Sequence, residues 1–215
     1  MSKEFDHRRE IIVHGLKMNS SGLSQGTSGN LSVRWSDGML VTPSGIAYDA
    51  LQPEDIVFMK LDGSFDHPLA PSSEWRFHRD IYVARPEVNA VVHAHPTHCT
   101  ALAIQGMEIP AVHYMIASAG GPSIRCASYH TYGTEALSVA AIAALENRSG
   151  CLLAHHGMIA TGANMAKAMW LAVEMEALAH LYILALQLGK PRILPDEEIA
   201  RVVAKFAHYG LRERA

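Results

Sequence analysis

The sequence predicts an α/β protein, a three-layer α/β/α domain built on a mixed or antiparallel sheet. Three observations point there. A hairpin pattern occurs early in the chain, short apolar runs bounded by turn residues follow it, and helical patterns separate these strands. The 215 residues, 49% hydrophobic and 18% charged, suffice for one sizeable core. With no linker, repeat or low-complexity segment, residues 1–215 are expected to form a single domain.

Taken in order, Lys3 to Ser21 carry Phe5, Ile12 and Leu16 near helical spacing, and Gly22 stops the helix. Leu31-Ser32-Val33-Arg34-Trp35 alternates as a half-buried strand, and Ser36-Asp37-Gly38 turns it into Met39-Leu40-Val41-Thr42. Ile56 to Lys60 reads as a further strand closed by Leu61-Asp62-Gly63. Ser73 is placed to cap a helix from Glu74 to about Ala84. Thr97 to Ile104 is a short helix, and Gly120-Gly121-Pro122 breaks the chain. Thr134 to Asn147 is alanine-rich and helical. Cys151 to Ala154 is a buried strand leading into His155-His156-Gly157. Asn164 caps the longest helix, which runs to about Leu188 before Gly189 and Pro191 stop it. A last helix covers Pro195 to His208.

The stretch Asn89-Ala90-Val91-Val92-His93-Ala94-His95-Pro96 is the centre of this pattern. Its β-branched apolar run is a buried strand, and Pro96 forbids smooth continuation. Side chains alternate along a strand, so His93 and His95 share one face, about 7 Å apart at Cα. Both rings can converge on one transition metal. A lone histidine would be read as a packing residue; two in phase at a strand end, with two other candidate ligand clusters in the chain, point to a metal.

Those other clusters are His155-His156 and Glu74. Adjacent histidines on a strand point to opposite sides, so one of the pair reaches the metal, and periodicity does not say which. Gly157 beside them permits unusual backbone. A carboxylate at a helix start such as Glu74 is also accounted for by the helix dipole alone. Three imidazoles with one carboxylate suit tetrahedral Zn²⁺, and the carboxylate is the most replaceable donor.

Gly26-Thr27-Ser28-Gly29-Asn30, Thr42-Pro43-Ser44-Gly45 and Ser72-Ser73 are small-residue turns beside strand or helix ends. Each offers N–H groups and hydroxyls without bulk, as an anion cradle requires. Each taken singly is an ordinary turn. None is a Walker loop or a dinucleotide fingerprint. A phosphorylated small substrate beside a metal joins both constellations.

The formal charge of −3 leaves no electrostatic footprint for nucleic acid or an anionic membrane. No apolar run follows Met1, and no stretch approaches eighteen uninterrupted apolar residues, so neither export nor spanning is expected. The three cysteines, Cys99, Cys126 and Cys151, form no CxxC pair and read as reduced thiols of a cytoplasmic protein.

Four segments together carry a resemblance. Gln25 to Arg34, Pro71-Ser72-Ser73-Glu74-Trp75-Arg76-Phe77-His78, Ala90 to His95 and His155-His156-Gly157 resemble, in order and spacing, the class II aldolase/adducin family. Ile109 to Ile116, Thr131 to Thr134 and Lys205 to Leu211 extend the likeness over nearly the whole chain. The resemblance implies an α/β/α aldolase fold, a homotetramer, and one Zn²⁺ on His93, His95 and His156 with Glu74 as resting fourth ligand. It implies phosphate binding by Gly29, Asn30, Ser44, Gly45, Ser72 and Ser73, and acid/base work by Glu74. It also implies a proton donor in Tyr114, reaching in from a neighbouring subunit, and a C-terminal closing residue in Tyr209. The chain departs from the family's usual pattern at Ser28, Ser44 and Tyr132, where alanine, threonine and phenylalanine are usual; the last bears on the aldehyde pocket.

The activity so implied is reversible cleavage of a ketose 1-phosphate to dihydroxyacetone phosphate and a short aldehyde. L-Fuculose 1-phosphate, 5-deoxyribulose 1-phosphate and 5-methylthioribulose 1-phosphate share the phosphorylated half. Zinc acts as Lewis acid, and no Schiff-base lysine is needed. Two alternatives lie in the same family. A sugar-phosphate 4-epimerase uses the same retro-aldol step and re-adds the aldehyde on its other face. An adducin-like interaction domain lacks the metal ligands, all four of which are present here.

Overall fold

The computed structural model describes residues 2–206. Six α-helices and nine strands alternate along it: α1 (Lys3–Ser20), β1 (Asn30–Trp35), β2 (Gly38–Val41), β3 (Val57–Lys60), α2 (Trp75–Ala84), β4 (Ala90–Ala94), α3 (Thr97–Ile104), β5 (Ile109–Pro110), β6 (Ser123–Ile124), β7 (Cys126–Ala127), α4 (Glu135–Ala144), β8 (Gly150–Leu153), β9 (Gly157–Gly162), α5 (Met165–Gln187) and α6 (Asp196–Phe206). Seven strands form one sheet in the order β3-β2-β1-β4-β9-β8-β7, antiparallel except for the parallel β7–β8 pair. The expected mixed sheet is therefore present, with β4 near its middle between β1 and β9.

Strand alternation builds the layers. Ala90, Val92 and Ala94 of β4 face one core with residues of α1, α3 and α5, while Val91 faces a second core with Phe77, Ile81 and Tyr82 of α2 and Leu137 and Ala141 of α4. The local signals that start the helices act as expected at α4 and α5, where Thr134 accepts from Leu137 N–H and Asn164 from Lys167 N–H. Periodicity assigns no element between α3 and α4, where the structure holds the β5–β6 ribbon, a 3₁₀ helix over Tyr114–Ala119 and the short edge strand β7. These pieces are too short for periodicity to register.

Helix α5 is long and apolar enough to cross a membrane. It is nonetheless a core helix on one side, with Met169, Ala172, Met175 and Ala179 fully buried, and it carries Lys167, Glu174 and Glu176. Cys99 and Cys151 are buried and Cys126 is partly buried, all three as free thiols. Burial pushes the Cys151 thiol up to about 12, which leaves it unreactive.

Two expectations need correction at the fold level. The helix after Ser73 begins at Trp75, with Glu74 itself in the capping position and Ser72, rather than Ser73, accepting the Glu74 N–H at 3.3 Å. The β8 strand ends at Leu153, so His155 and His156 lie in the turn before β9. Alternation along a strand therefore does not govern where those two rings point.

Candidate metal centre and its cleft

His93 sits inside β4, opposite Asn30 of β1 on one side and Ile159 of β9 on the other. It is fully buried, with the edge of its ring system 5.2 Å between centroids from Phe77 of α2. Its Nδ1 lies 2.8 Å from the carbonyl oxygen of Met158. A carbonyl can only accept, so Nδ1 carries a proton, which leaves Nε2 as the nitrogen available to ligate a metal.

His95 follows immediately after β4, and its backbone N–H donates to Ser24 Oγ at 3.1 Å. His156 arrives from the β8–β9 turn. The three ring centroids form a nearly equilateral triangle with sides of 4.7, 4.8 and 4.9 Å. Glu74 closes it from the start of α2: Oε2 is 3.1 Å from His93 Nε2, and Oε1 is 3.2 Å from His156 Nε2. One donor atom from each of the four residues lies within 4.8 Å of every other.

The donor set fits a divalent transition metal. Bonds of about 2.0–2.1 Å in a tetrahedron put neighbouring donors roughly 3.3 Å apart, close to the separations found here. Without a cation the cluster is poorly satisfied. His93 Nε2 and His95 Nε2 face each other at 2.9 Å, and buried Glu74 Oε1 has no hydrogen-bond partner. Burial drives His95 down to about 3 and His156 to about 4, with His93 adding to both, so these rings are in the neutral ligating form. Burial alone would lift Glu74. The imidazoles of His93 and His156 and the Asn30 amide outweigh it and hold the carboxyl well below the usual carboxylate range. Burial also lowers His93, but the Glu74 carboxylate beside it raises it above the ordinary value.

The strand-end phase of His93 and His95 thus brings both rings to one point. The choice within the histidine pair falls to His156. His155 takes a left-handed backbone, φ 53°, and turns its ring against Tyr129 at 5.9 Å. The freedom assigned to Gly157 is also of another kind. A Cβ there would lie 2.4 Å from the Ala94 carbonyl oxygen and 2.7 Å from His95 Cδ2, so glycine is required for close approach and not for an unusual φ.

The metal site opens into a cleft of about 340 Å³ lined by Ser73, Glu74, His95, Tyr129, His130, Tyr132, His155 and His156. The sequence does not single out Tyr129 and His130, and His155, weighed there as a possible ligand, is a wall residue of the cleft. The only available signal was the aromatic run from Tyr129 to Tyr132 after the Gly-Gly-Pro break.

The three small-residue turns come together beside Glu74. An antiparallel bridge pairs Pro43 with Pro71, Ser44 N–H donates to Ala70 O and Ser72 N–H to Thr42 O, and Thr42 Oγ1 accepts from Leu31 N–H. Gly29, at φ 79°, packs against Ser24 and the His93 carbonyl with no room for a side chain. Ser44, Gly45 and Ser73 are exposed, while Asn30 and Ser72 are buried. The Asn30 side-chain NH₂ donates to Glu74 Oε2, 3.0 Å away. Tyr114 is half-exposed at the start of its 3₁₀ helix and does not line the cleft of its own chain. Tyr209 lies outside the described residues.

Comparison with known proteins places the chain in a family. Residues 9–183 match the Class II Aldolase and Adducin N-terminal domain. The L-fuculose phosphate aldolase of Escherichia coli (strain K12) is 54% identical over 205 residues, covering 95% of each chain. The 5-methylthioribulose-1-phosphate/5-deoxyribulose-1-phosphate aldolase of Rhodospirillum rubrum is 53% identical over 207 residues, covering 94% of each. A solved structure of an L-fuculose 1-phosphate aldolase superposes with a TM-score of 0.92 at 41% identity, over 96% of this chain and 98% of that one. With the donor cluster, the sheet order and these matches in agreement, the chain belongs to the class II aldolase/adducin family.

Proposed function

We propose that this protein is a metal-dependent aldolase that cleaves a ketose 1-phosphate reversibly into dihydroxyacetone phosphate and a short aldehyde, using one Zn²⁺ per chain. The observation that carries this reading is the Glu74–His93–His95–His156 donor set at the floor of an open cleft, next to three converging anion-type turns. The same donor set argues against a purely structural role.

A divalent ion held by these four residues supplies Lewis acidity to a carbonyl oxygen of the substrate. The remaining work falls to the chain. Gly29, Ser44, Gly45, Ser72, Ser73 and the backbone of Asn30, whose side chain is committed to Glu74 and His78, hold the phosphate and so fix the dihydroxyacetone end against Glu74. Glu74, ionised and the most replaceable of the four donors, exchanges the carbon-bound proton. In the condensation direction Tyr114 of a neighbouring copy delivers a proton to the aldehyde oxygen, and in cleavage it takes that proton back. The active form is a cytoplasmic homotetramer whose protomers each act as one catalytic domain.

The aldehyde half lies against Tyr129 and Tyr132, ring surfaces that carry no fixed charge. Such a wall discriminates weakly, since one methylene changes binding by about 1–3 kcal/mol. The near-equal similarity to a fuculose phosphate aldolase and to a methylthioribulose/deoxyribulose phosphate aldolase supports tolerance at this end. L-Fuculose 1-phosphate, 5-deoxyribulose 1-phosphate and 5-methylthioribulose 1-phosphate are all expected to be cleaved. The test is kcat/KM for each ketose with and without its 1-phosphate, together with elemental analysis of the purified protein and of His93→Ala and His95→Ala. Release of free aldehyde and strict dependence on phosphate and on both histidines are expected. Inversion at C4 without free aldehyde would make the protein an epimerase. Equal kcat/KM for the unphosphorylated sugars would remove the aldolase assignment.

A further inference from the structure

Behind Glu74 runs a polar seam that the chemistry above does not use. Glu74 at the cap of α2 and His78 and Tyr82 within it recur at intervals of four, and Asn30 and Ser32 alternate onto the facing side of β1. The two rows interdigitate. Asn30 Nδ2 lies 3.0 Å from Glu74 Oε2, His78 Nε2 lies 2.5 Å from Asn30 Oδ1, Ser32 Oγ lies 2.7 Å from His78 Nδ1, and the Tyr82 hydroxyl lies 2.8 Å from Ser32 Oγ. His78 and Ser32 are fully buried, and Tyr82 and Asn30 nearly so.

The chemistry of the partners orients every proton. An ionised carboxylate only accepts, so Asn30 must turn its NH₂ toward Glu74 and its carbonyl toward His78. That carbonyl also only accepts, so His78 carries its proton on Nε2. A neutral ring protonated there leaves Nδ1 as acceptor, which Ser32 fills with its hydroxyl, and Tyr82 donates in turn to Ser32. Burial keeps His78 neutral, lowering it to about 3, with His93 adding and Glu74 opposing. Burial likewise keeps the Tyr82 phenol protonated. All four hydrogen bonds therefore point one way, and the chain they form ends on Glu74 Oε2.

We propose that His78 is a positioning residue: as the neutral Nε2–H tautomer it locks the Asn30 amide, which holds Glu74 Oε2 against His93 and keeps the carboxylate aimed into the cleft. This rests on the role given to Glu74 above, where a carboxylate that exchanges a proton at carbon needs a fixed orientation. Dipeptide geometry around Glu74 does not supply one, because its side chain makes no cap hydrogen bond to its own helix.

Three substitutions separate positioning from simple packing. His78→Gln keeps a donor near the Nε2 position, His78→Asn keeps a group only near Nδ1, and His78→Leu keeps neither. The expected result is a kcat lowered about 10- to 100-fold in the leucine and asparagine variants, the usual scale for a partner of a ligand, with KM for the ketose 1-phosphate little changed. The glutamine variant should recover most of the rate. Chelator competition should show weakened Zn²⁺ binding in the same order, a readout independent of turnover. ¹⁵N-histidine NMR of the native metal-free protein should place the His78 proton on Nε2. Equal rates in the glutamine and leucine variants, or a proton on Nδ1, would overturn the proposal, and the NMR measurement decides even where His78→Leu does not fold. A native protein that loads Zn²⁺ but cleaves no ketose 1-phosphate would instead refute the aldolase reading; the tautomer and the chelator series would still test His78.

Discussion

At the scale of single residues, Glu74 joins two jobs that its local sequence context would not separate. A carboxylate at a helix start is ordinarily a partner of the helix dipole, but here the side chain turns away from α2 toward His93 and His156. Glu74→Gln preserves shape and removes the proton acceptor. It is expected to leave the fold and much of the metal in place while slowing proton exchange on dihydroxyacetone phosphate roughly 10²-fold or more. Exchange at the native rate would exclude Glu74 as the base. His78 gives a second residue-scale outcome, in stability. Its pKa is about 3 folded and 6.5 as the ordinary value. The unfolded chain therefore binds one more proton than the folded one between those values. Stability from this group is complete above pH 6.5 and is lost as pH falls through the window, by about 1.4 kcal/mol per pH unit once the unfolded ring is charged. Urea titrations of the metal-free protein from pH 6.5 to 4 should show a slope steeper than that of His78→Gln by about one proton. Identical slopes would mean that His78 is charged in the fold.

At the scale of elements, the β8–β9 turn decides the site. His155 accepts a left-handed backbone, and that conformation separates the two rings, sending His155 to Tyr129 and leaving His156 for the metal. Such a conformation costs about 1–2 kcal/mol for a residue with a Cβ, and it is held by the strands on either side and by the His155 N–H bond to Ala103 O. Gly157 lets the turn lie against β4. Gly157→Ala would place a methyl 2.4 Å from Ala94 O, a backbone atom that cannot swing aside. We expect a loss of about 1–3 kcal/mol, typical of overpacking, and weaker Zn²⁺ binding because His95 is pushed as well. Native stability by urea denaturation together with native affinity by chelator competition would show that the turn has slack.

At the scale of the whole molecule, α5 presents an unfinished surface. Trp170, Val173, Leu181 and Leu184 lie on one stripe of the helix at intervals that match its turn, and each is 41–51% exposed. Val13 and Leu16 of α1 add exposed apolar surface. Tyr114, the expected proton donor, is half-exposed and outside its own cleft. The proposed homotetramer predicts that a second copy covers this stripe and supplies Tyr114. The protein is expected to sediment as a tetramer, and Trp170→Glu to shift it toward smaller species with a parallel loss of activity. A fully active native monomer at assay concentration would exclude shared sites.

Much of the fold was legible because strand and helix periods, caps and turn residues act over a few positions. The phase of His93 and His95 is one such property: two residues apart on a strand, they must share a face. The Asn164 and Thr134 caps are others. The fate of His155 and His156 was not legible, because a turn in left-handed geometry does not follow strand alternation, and the His155 N–H bond to Ala103 O and the close packing of Gly157 on β4 are tertiary contacts. Nor could the sequence say that Asn30 serves Glu74. That contact spans 44 residues, and the bond that fixes the His93 tautomer spans 65. By itself the chain determined which residue types could bind a metal and where strands would present them. The tertiary structure decided which donors meet, because convergence of four ligands and three turns depends on the register of β1, β4 and β9, and register is a property of the assembled sheet.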